Sequence, residues 1–325
     1  MRTIIRTAAS LLAAGLCALA AAQTGTDYPR QPVRMVVTFP PGGSADAVVR
    51  MLVPRLTEKL GQQLVVDNRP GAGGNIGLAV VAKAPADGYT LGVGAAGALS
   101  ANVSLYAQMP FDPVRDFKPV SMLAAIPFVL VGHPSLAAKT QRDLVALAQA
   151  QPGRLSIGHG GNGTAMHLSA QLFAQMAGVQ FTEVPYRGSG PAALDVLAGQ
   201  VPLAVVDLPA ALQHIKAGKL FAYAVTSPQR LPMLADVPTV SEAGLAGYDS
   251  TGWFGVVAPA GTPDAVVARL NAELTAALED EQIRTSMRNL GVEPAPSRPD
   301  AFGQYIRAET AKWARVIKIA GTRLD

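Results

Sequence analysis

The sequence predicts an α/β protein of two lobes, each a mostly parallel sheet flanked by helices. Short β-branched strand patterns alternate with amphipathic helical patterns, which is typical of parallel sheets. Two strand–loop–helix units, with glycine-rich loops at 42–43 and 158–163, lie far apart in the chain. Two long extended segments, near 122–132 and 252–258, bracket the middle of the chain. We therefore expect one lobe to be inserted into the other, with these segments as the crossing strands.

The composition is that of a folded protein large enough for two domains. The 325 residues are 49% apolar and 15% charged, the reverse of a disordered chain. The net charge is +4, but the Lys and Arg residues are scattered along the chain and form no basic cluster. We therefore expect no nucleic-acid partner.

The N-terminus has the three parts of a secretory signal peptide. Arg2 and Arg6 form a basic start, an apolar run occupies 7–19, and small residues end at Ala22. The apolar run is too short for a membrane anchor, which needs about 20 residues. We expect cleavage near Ala22 and a mature protein outside the cytoplasm.

Cleavage also limits the chemistry available to the protein. Cys17 is the only cysteine and leaves with the signal peptide. The mature chain keeps 25 cations against 23 anions, a net charge of +2. Thiol catalysis, cysteine-ligated metals and disulfides are thereby excluded.

The first unit begins with a strand at 33–38, where the run VRMVVT is rich in β-branched residues. After the first glycine-rich loop, apolar residues spaced by four from Val48 predict a helix that ends at Gly61. Pro54 should bend this helix or end its first part. The next predicted elements are a strand at 64–66, a loop at 68–75, a helix reaching Ala84, a turn at 87–88, a strand at 89–93 and a loop at 94–97.

The middle of the chain repeats this pattern. A helix at 141–150 and the turn Pro152-Gly153 lead to a strand at 155–157, the second loop and a helix from Thr164 onward. The later predicted elements are strands at 181–184, 203–206 and 221–226, helices at 192–198 and 209–217, and two closing helices at about 263–279 and 299–320.

The two loops suggest an anion site. Loops that follow parallel strands meet at the carboxyl edge of a sheet, where open α/β folds bind ligands. Each loop also leads into a helix N-terminus, which favours an anion such as a carboxylate. The glycines of either loop alone could serve only to make tight turns, but their pairing across a cleft favours the anion site.

The second loop also matches a dinucleotide-binding fingerprint. Gly158, Gly160 and Gly163 have the G-x-G-x-x-G spacing, and Glu183 follows at the end of the next strand. Nicotinamide cofactors are normally cytoplasmic, so export opposes this interpretation. We expect no cofactor.

No catalytic or metal-binding pattern stands out. Ser189 lies between glycines but lacks the G-x-S-x-G frame. The four histidines have no metal-ligand spacing, so neither a catalytic residue nor a metal is predicted.

Several polar residues have two interpretations each. Asp46 could orient a ligand or serve the helix N-terminus. His167 could face the cleft or be structural, and Asp207, after the strand at 203–206, is similarly open. Arg187 could pair with a carboxylate, although a surface cation is the default.

A set of motifs runs through nearly the whole mature chain. They are FPPGG at 39–43, NRPGAGG at 68–74, PADGYT at 85–90, FDP at 111–113, PYRG at 185–188, AVT at 224–226, DVPT at 236–239 and APAGTP at 258–263. With these motifs the chain closely resembles the substrate-binding proteins of tripartite tricarboxylate transporters, the Bug family.

The resemblance implies a periplasmic binding protein of the type II flytrap fold, which closes on a small organic carboxylate. The lobes would comprise 23–122 plus 253–325, and 123–252. The ligand-binding residues it implies, together with Asp207, are Phe39, Pro40, Gly42, Gly43, Ser44, Ala45, Asp46, Gly160, Gly161, Asn162, Gly163, Thr164 and His167.

We also expect a monomer, and the absence of a nucleophile elbow, a metal motif and a thiol in the mature sequence argues against an enzyme. The ligand could be a dicarboxylate, a tricarboxylate, an amino acid or an aromatic acid. The partner would be the permease subunits of a transporter or, as an alternative, a membrane sensor kinase. An exported α/β enzyme is a further, weaker alternative.

Overall fold

The computed structural model describes residues 28–324, so the predicted signal peptide and its cleavage site lie outside the described residues. Over this range ten strands form one mixed sheet. The strands are β1 (Val33–Val37), β2 (Leu64–Asn68), β3 (Thr90–Ala95), β4 (Phe117–Gly132), β5 (Ser156–His159), β6 (Thr182–Pro185), β7 (Leu203–Asp207), β8 (Phe221–Val225), β9 (Thr251–Pro259) and β10 (Glu293–Pro294).

Ten α-helices and three short helical turns of other types flank the sheet within residues 28–324. The α-helices are α1 (Ser44–Leu60), α2 (Asn75–Ala82), α3 (Asn102–Leu105), α4 (Gln141–Ala150), α5 (Ala165–Ala177), α6 (Ser189–Leu197), α7 (Leu208–Lys216), α8 (Asp264–Glu279), α9 (Glu281–Asn289) and α10 (Pro299–Ala320). The short turns are 3₁₀ at Ala72–Gly74 and Pro232–Leu234, and π at Gly97–Ala101. In residues 28–324, no helix is both long enough and apolar enough to cross a bilayer.

The strand order is β2-β1-β3-β9-β4-β7-β5-β6, with β8 and β10 also paired to β4. The predicted parallel pairing holds within each strand–helix unit, where β1 pairs with β2 and β3, and β5 pairs with β6 and β7. The long strands β4 and β9 run antiparallel to each other and to their neighbours β7 and β3. The sheet is therefore mixed because the chain crosses between its halves and returns.

Strand β4 changes partners along its length. From Phe117 to Pro127 it pairs with β9, and from Phe128 to Gly132 it pairs with β7. One continuous strand thus belongs to both halves of the two-lobed fold. The predicted lobe boundaries stay a prediction.

The N-terminus of α4 is where the sequence predicted it, for a local reason. The Thr140 side chain accepts a hydrogen bond from the Asp143 N–H, and the Asp143 carboxylate accepts one from the Thr140 N–H. This capping box defines the helix start without tertiary help. Helix α1 ends at Gly61 as predicted, but Pro54 does not end it early.

The predicted loop at 94–97 is wrong. Strand β3 continues to Ala95, and the π turn starts at Gly97. Gly94 and Gly97 allow close packing and do not form a turn. A Cβ on Gly94, for example, would lie 2.7 Å from Leu99 Cδ1. Helix α9 and the short strand β10 were not predicted from the sequence.

A glycine in the middle of β9 gives a direct test of this packing. A Cβ on Gly255 would lie 2.1 Å from Phe302 Cζ, and that ring is buried edge-on against Trp253. We expect Gly255→Ala to lower the free energy of unfolding by about 1–3 kcal/mol through overpacking. Urea unfolding followed by circular dichroism measures this change in the free energy of unfolding.

The matched control is Gly303→Ala, next to the same phenylalanine but within α10. Its Cβ would meet Pro119 Cγ at 3.4 Å and Arg307 Nη1 at 3.6 Å, both ordinary contacts, so the higher helix propensity of alanine should add up to about 1 kcal/mol. Equal effects of the two substitutions would contradict the packing described here.

Candidate functional site

A cavity of about 390 Å³ lies where the ends of β1 and β7 meet the two long strands. Its walls come from both halves of the sheet. They include the loop after β1 and the start of α1, strands β4 and β9, and the starts of α5, α6 and α7. The aromatic rings of Phe39 and Phe254 pack together in this wall, with centroids 5.7 Å apart.

The predicted site residues divide into two groups. Those that line the cavity are Phe39, Pro40, Gly42, Gly43, Ser44, Ala45 and Asp207. Those outside its lining are Asp46, Gly160, Gly161, Asn162, Gly163, Thr164 and His167. The structure thus brings the first loop and Asp207 together and places the second loop elsewhere, so ligand contact by the second group stays a prediction.

Asp46 organises the first loop from behind. Its carboxylate accepts hydrogen bonds from the Gly42 N–H at 2.9 Å, Arg50 Nε at 2.8 Å and Asn68 Nδ2 at 3.0 Å. Burial alone would raise the pKa of Asp46, but these hydrogen bonds outweigh it and hold the pKa below its usual value. The carboxylate is therefore ionised and already has partners.

Two of the helices that start at the cavity have no side-chain cap. Both α1 and α6 begin after a glycine, Gly43 and Gly188 respectively. In contrast, Thr164 caps α5 and Asp207 caps α7. The first N–H groups of a helix have no partner within it, so α1 and α6 offer donors and a partial positive charge at the cavity.

Asp207 lies between these two uncapped helices. Its Oδ2 accepts a hydrogen bond of 2.5 Å from Oγ of Ser44, the first residue of α1. Its N–H donates to Oγ of Ser189, the first residue of α6, at 3.1 Å. The Ala210 N–H donates to Oδ1 at 3.4 Å. Burial raises the pKa of Asp207, although the hydrogen bonds act in the opposite direction.

The second loop is held by two histidines. The Gly161 N–H donates to His159 Nδ1 at 3.2 Å, and the Gly163 N–H donates to His167 Nδ1 at 3.4 Å. The two rings are 4.7 Å apart between centroids. Burial, with a contribution from His167, lowers the pKa of His159 to about 4, so this ring is neutral near pH 7.

The second loop contacts the opposite half of the sheet. A Cβ on Gly97 would lie only 2.1 Å from the Gly163 carbonyl oxygen. The Tyr106 hydroxyl also donates to the Asn162 carbonyl at 3.4 Å. The glycines of this loop thus allow a close approach between the two halves.

Glu183 completes a small polar cluster beneath the loop. Its carboxylate lies 3.2 Å from His167 Nε2, and candidate ligand atoms of Glu183, His159 and His167 all lie within 4.8 Å of one another. A histidine that accepts at Nδ1 carries its proton on Nε2, so a metal at Nε2 would have to displace that proton. The dinucleotide fingerprint requires an acidic side chain that is available to bind a ribose. Glu183 does not meet this requirement, because its carboxylate already contacts His167.

Sequence reasoning missed the start of α6 as part of the cavity. Arg187, Gly188, Ser189 and Gly190 all line it, with Arg187 exposed to solvent. The local signal was a pair of glycines around Ser189, which the sequence suggested only as a nucleophile turn, while Arg187 alone was considered as a partner for a carboxylate.

Comparisons with known proteins agree with the resemblance. The family model described as the tripartite tricarboxylate transporter family receptor matches residues 48–322. Protein BugT of Bordetella pertussis is 38% identical over 312 residues, covering 96% of this chain and 95% of that protein. A protein from the tcbD-tcbE intergenic region of Pseudomonas sp. strain P51 is 40% identical over 291 residues, 89% of this chain and 86% of its own.

Solved structures give the same result. An R. palustris protein with adipate has a TM-score of 0.87 and 40% identity, over 91% of this chain and 100% of its own. The periplasmic binding protein BugD has a TM-score of 0.86 and 35% identity, over 91% and 99%. MatC of Rhodopseudomonas palustris with bound malate has a TM-score of 0.85 and 33% identity, over 89% and 100%.

These matches cover almost the whole described chain and include binding proteins with the same two-lobed fold. The family model describes a receptor, so the prediction of a binding protein and not an enzyme is confirmed. The predicted family is confirmed as well: the chain belongs to the periplasmic receptor family of the tripartite tricarboxylate transporters.

Proposed function

We propose that this protein captures a small organic carboxylate in the cavity between its lobes and delivers it to the permease subunits of a transporter. The observation that carries the proposal is the pair of uncapped helix starts, α1 and α6, on one cavity. The adipate and malate bound by two relatives support the ligand class. The family's role as transporter receptors supports delivery to a permease.

Backbone donors suit a carboxylate well. The N–H groups of a helix's first turn point along its axis and have no other partner, so an anion there gains hydrogen bonds and the favourable dipole. Among the residues from 28 to 324 that line this cavity, only Arg187 and Asp207 have charged side chains, and Arg187 is exposed. We propose that the ligand's carboxylates bind mainly to backbone at α1 and α6.

The rest of the cavity suits a hydrocarbon body. Its lining includes Ile126 and Phe128 from β4 and Trp253 and Phe254 from β9. Apolar walls with a few convergent polar groups are typical of small-molecule sites. A short aliphatic or aromatic acid would place its carbon skeleton against these side chains.

We propose direct ligand contact for the residues of the first loop and for Asp207. The residues of the second loop, with His167, would act on the ligand indirectly by holding the two halves in contact. This division is supported by the hydrogen bonds from the loop to His159 and His167 and by the close approach of Gly97 and Gly163.

We also propose export to the periplasm with cleavage after Ala22, and a monomeric protein. The proposed lobes are 23–122 plus 253–325, and 123–252. The partner change of β4 between Pro127 and Phe128 supports a boundary close to these positions.

A ligand panel tests the proposal. Succinate, malate, adipate, citrate, butyrate, benzoate and glutamate would each be added to the purified protein, and the thermal unfolding midpoint measured. A bound acid at about 100 times its dissociation constant should stabilise the protein by about 2.7 kcal/mol. The matched control is 1,4-diaminobutane, which has the opposite charge and should give no shift. The proposal fails if none of the acids stabilises the protein.

A second experiment separates charge from size at the start of α6. A side chain at Gly190 would meet no atom within 4 Å, and this residue lines the cavity. Gly190→Asp should stabilise the helix by about 0.3–1 kcal/mol. It should nevertheless weaken carboxylate binding at least about tenfold, because its own carboxylate occupies the anion position.

Gly190→Asn is the matched control, with the same size and no charge. Calorimetric titration of both variants with the best acid of the panel gives the comparison. Equal affinities for the Asp and Asn variants would exclude an anion position at α6.

A further inference from the structure

Asp207 is a buried acid beside the two helix starts at which we propose that a carboxylate binds. The residue is 6% exposed and lines the cavity. It is hydrogen-bonded to Ser44 and Ser189, which are the first residues of the two uncapped helices α1 and α6. A carboxylate bound at either helix start would therefore come close to the Asp207 carboxyl group. Two carboxylates that share a site cannot both stay ionised without a large cost.

No cation compensates Asp207. Among the ion pairs of residues 28–324, none includes it, and its hydrogen-bond partners are two serine hydroxyls and the Ala210 N–H. The titratable groups of the helices and strands around it include Asp46 and Arg50 in α1, His159 in β5, His167 in α5, Arg187 before α6 and Asp195 in α6, each engaged elsewhere or exposed. Helix α7 carries His214 and Lys216 in its last turn, at the end away from Asp207.

We propose that Asp207 takes up one proton from solvent when the carboxylate binds, so that the neutral acid donates a hydrogen bond to the bound anion. The inference rests on the proposed function and makes Asp207 a residue that determines specificity. Free protein, ionised ligand and one proton give a complex in which Asp207 is protonated and the ligand keeps its charge.

The structure favours protonation over the opposite arrangement, in which an ionised Asp207 binds a ligand ammonium group. Oδ2 already accepts from Ser44 and Oδ1 from the Ala210 N–H, and the partial positive charge of the two uncapped helix starts beside Asp207 disfavours a ligand ammonium group there. A proton on Oδ2 would instead convert an acceptor into the donor that a carboxylate needs. Burial also raises the pKa of Asp207 before any ligand enters.

The sign of the pH dependence follows. Because the complex holds one proton more than the separate partners, affinity rises as pH falls. The effect spans the range between the pKa of Asp207 in the free protein and its higher pKa in the complex. Within this range the dissociation constant should change by up to about tenfold per pH unit.

Isothermal titration calorimetry tests this on the wild-type mature protein. Adipate, or the panel acid that binds most tightly, is titrated between about pH 6 and about pH 8, where both carboxylates of adipate are ionised. At each pH, two buffers with different ionisation enthalpies report the number of protons taken up. We expect an uptake that approaches one proton per ligand at some pH in this range.

Two variants show whether Asp207 is the group that takes up the proton. Asp207→Asn is neutral and nearly isosteric, so it should bind the acid with no proton uptake and with a dissociation constant independent of pH. Asp280→Asn changes the side chain that caps α9, outside the cavity lining, and should keep the wild-type uptake. The wild-type measurement stands even if Asp207→Asn fails to fold.

The outcomes separate this inference from the proposed function. Carboxylate binding without proton uptake by the wild type, or uptake that persists in Asp207→Asn, would overturn the role of Asp207 and leave carboxylate capture intact. Binding of an amino acid that depends on an ionised Asp207 would also overturn it. If none of the panel acids binds, both proposals fail.

Discussion

The antiparallel pairing of β4 with β9 is the interaction on which the rest of the structure depends. Both strands are long and almost fully buried, and they lie side by side where the chain passes between the two halves of the fold. Each parallel strand–helix unit attaches to one side of this pair, through β3 or through β7. The carboxyl ends of β1 and β7 therefore meet over the same strands, and the cavity forms there.

The partial positive charge at the cavity comes from helix N–H groups that no side chain caps. A side-chain cap on a helix contributes about 1 kcal/mol, and α1 and α6 do without it. The neighbouring helices α5 and α7 are capped, so the uncapped pair stands out locally. Donors that belong to the backbone cannot change rotamer, and this makes the site rigid before a ligand arrives. Asp207 is a buried charge-bearing group beside these donors, and it connects both helix starts.

Local signals in the sequence predicted most of the fold, and contacts between distant segments account for what was missed. The capping box at Thr140 and Gly61 at the end of α1 define helix ends by themselves, so these were predicted well. Gly97 looked like a loop residue, because its neighbour Gly163 is far away in sequence. The first loop and Asp207 could be assigned to the cleft from the strands that precede them. The start of α6 could not, because nothing local shows which of several helix starts faces the cavity.

The contact between Gly97 and the Gly163 carbonyl limits how far the two halves can approach. There is no side chain left to remove at Gly97, and the backbone atoms already meet at packing distance. Backbone contacts of this kind act as a mechanical stop, unlike flexible side chains, which yield. Closure would then end at the same separation for every ligand, and a longer or shorter acid would have to be accommodated by the residues of the cavity wall. Engineering a new ligand preference should therefore start with Ile126, Phe128 and Trp253 in the cavity wall, not with the contact between Gly97 and Gly163.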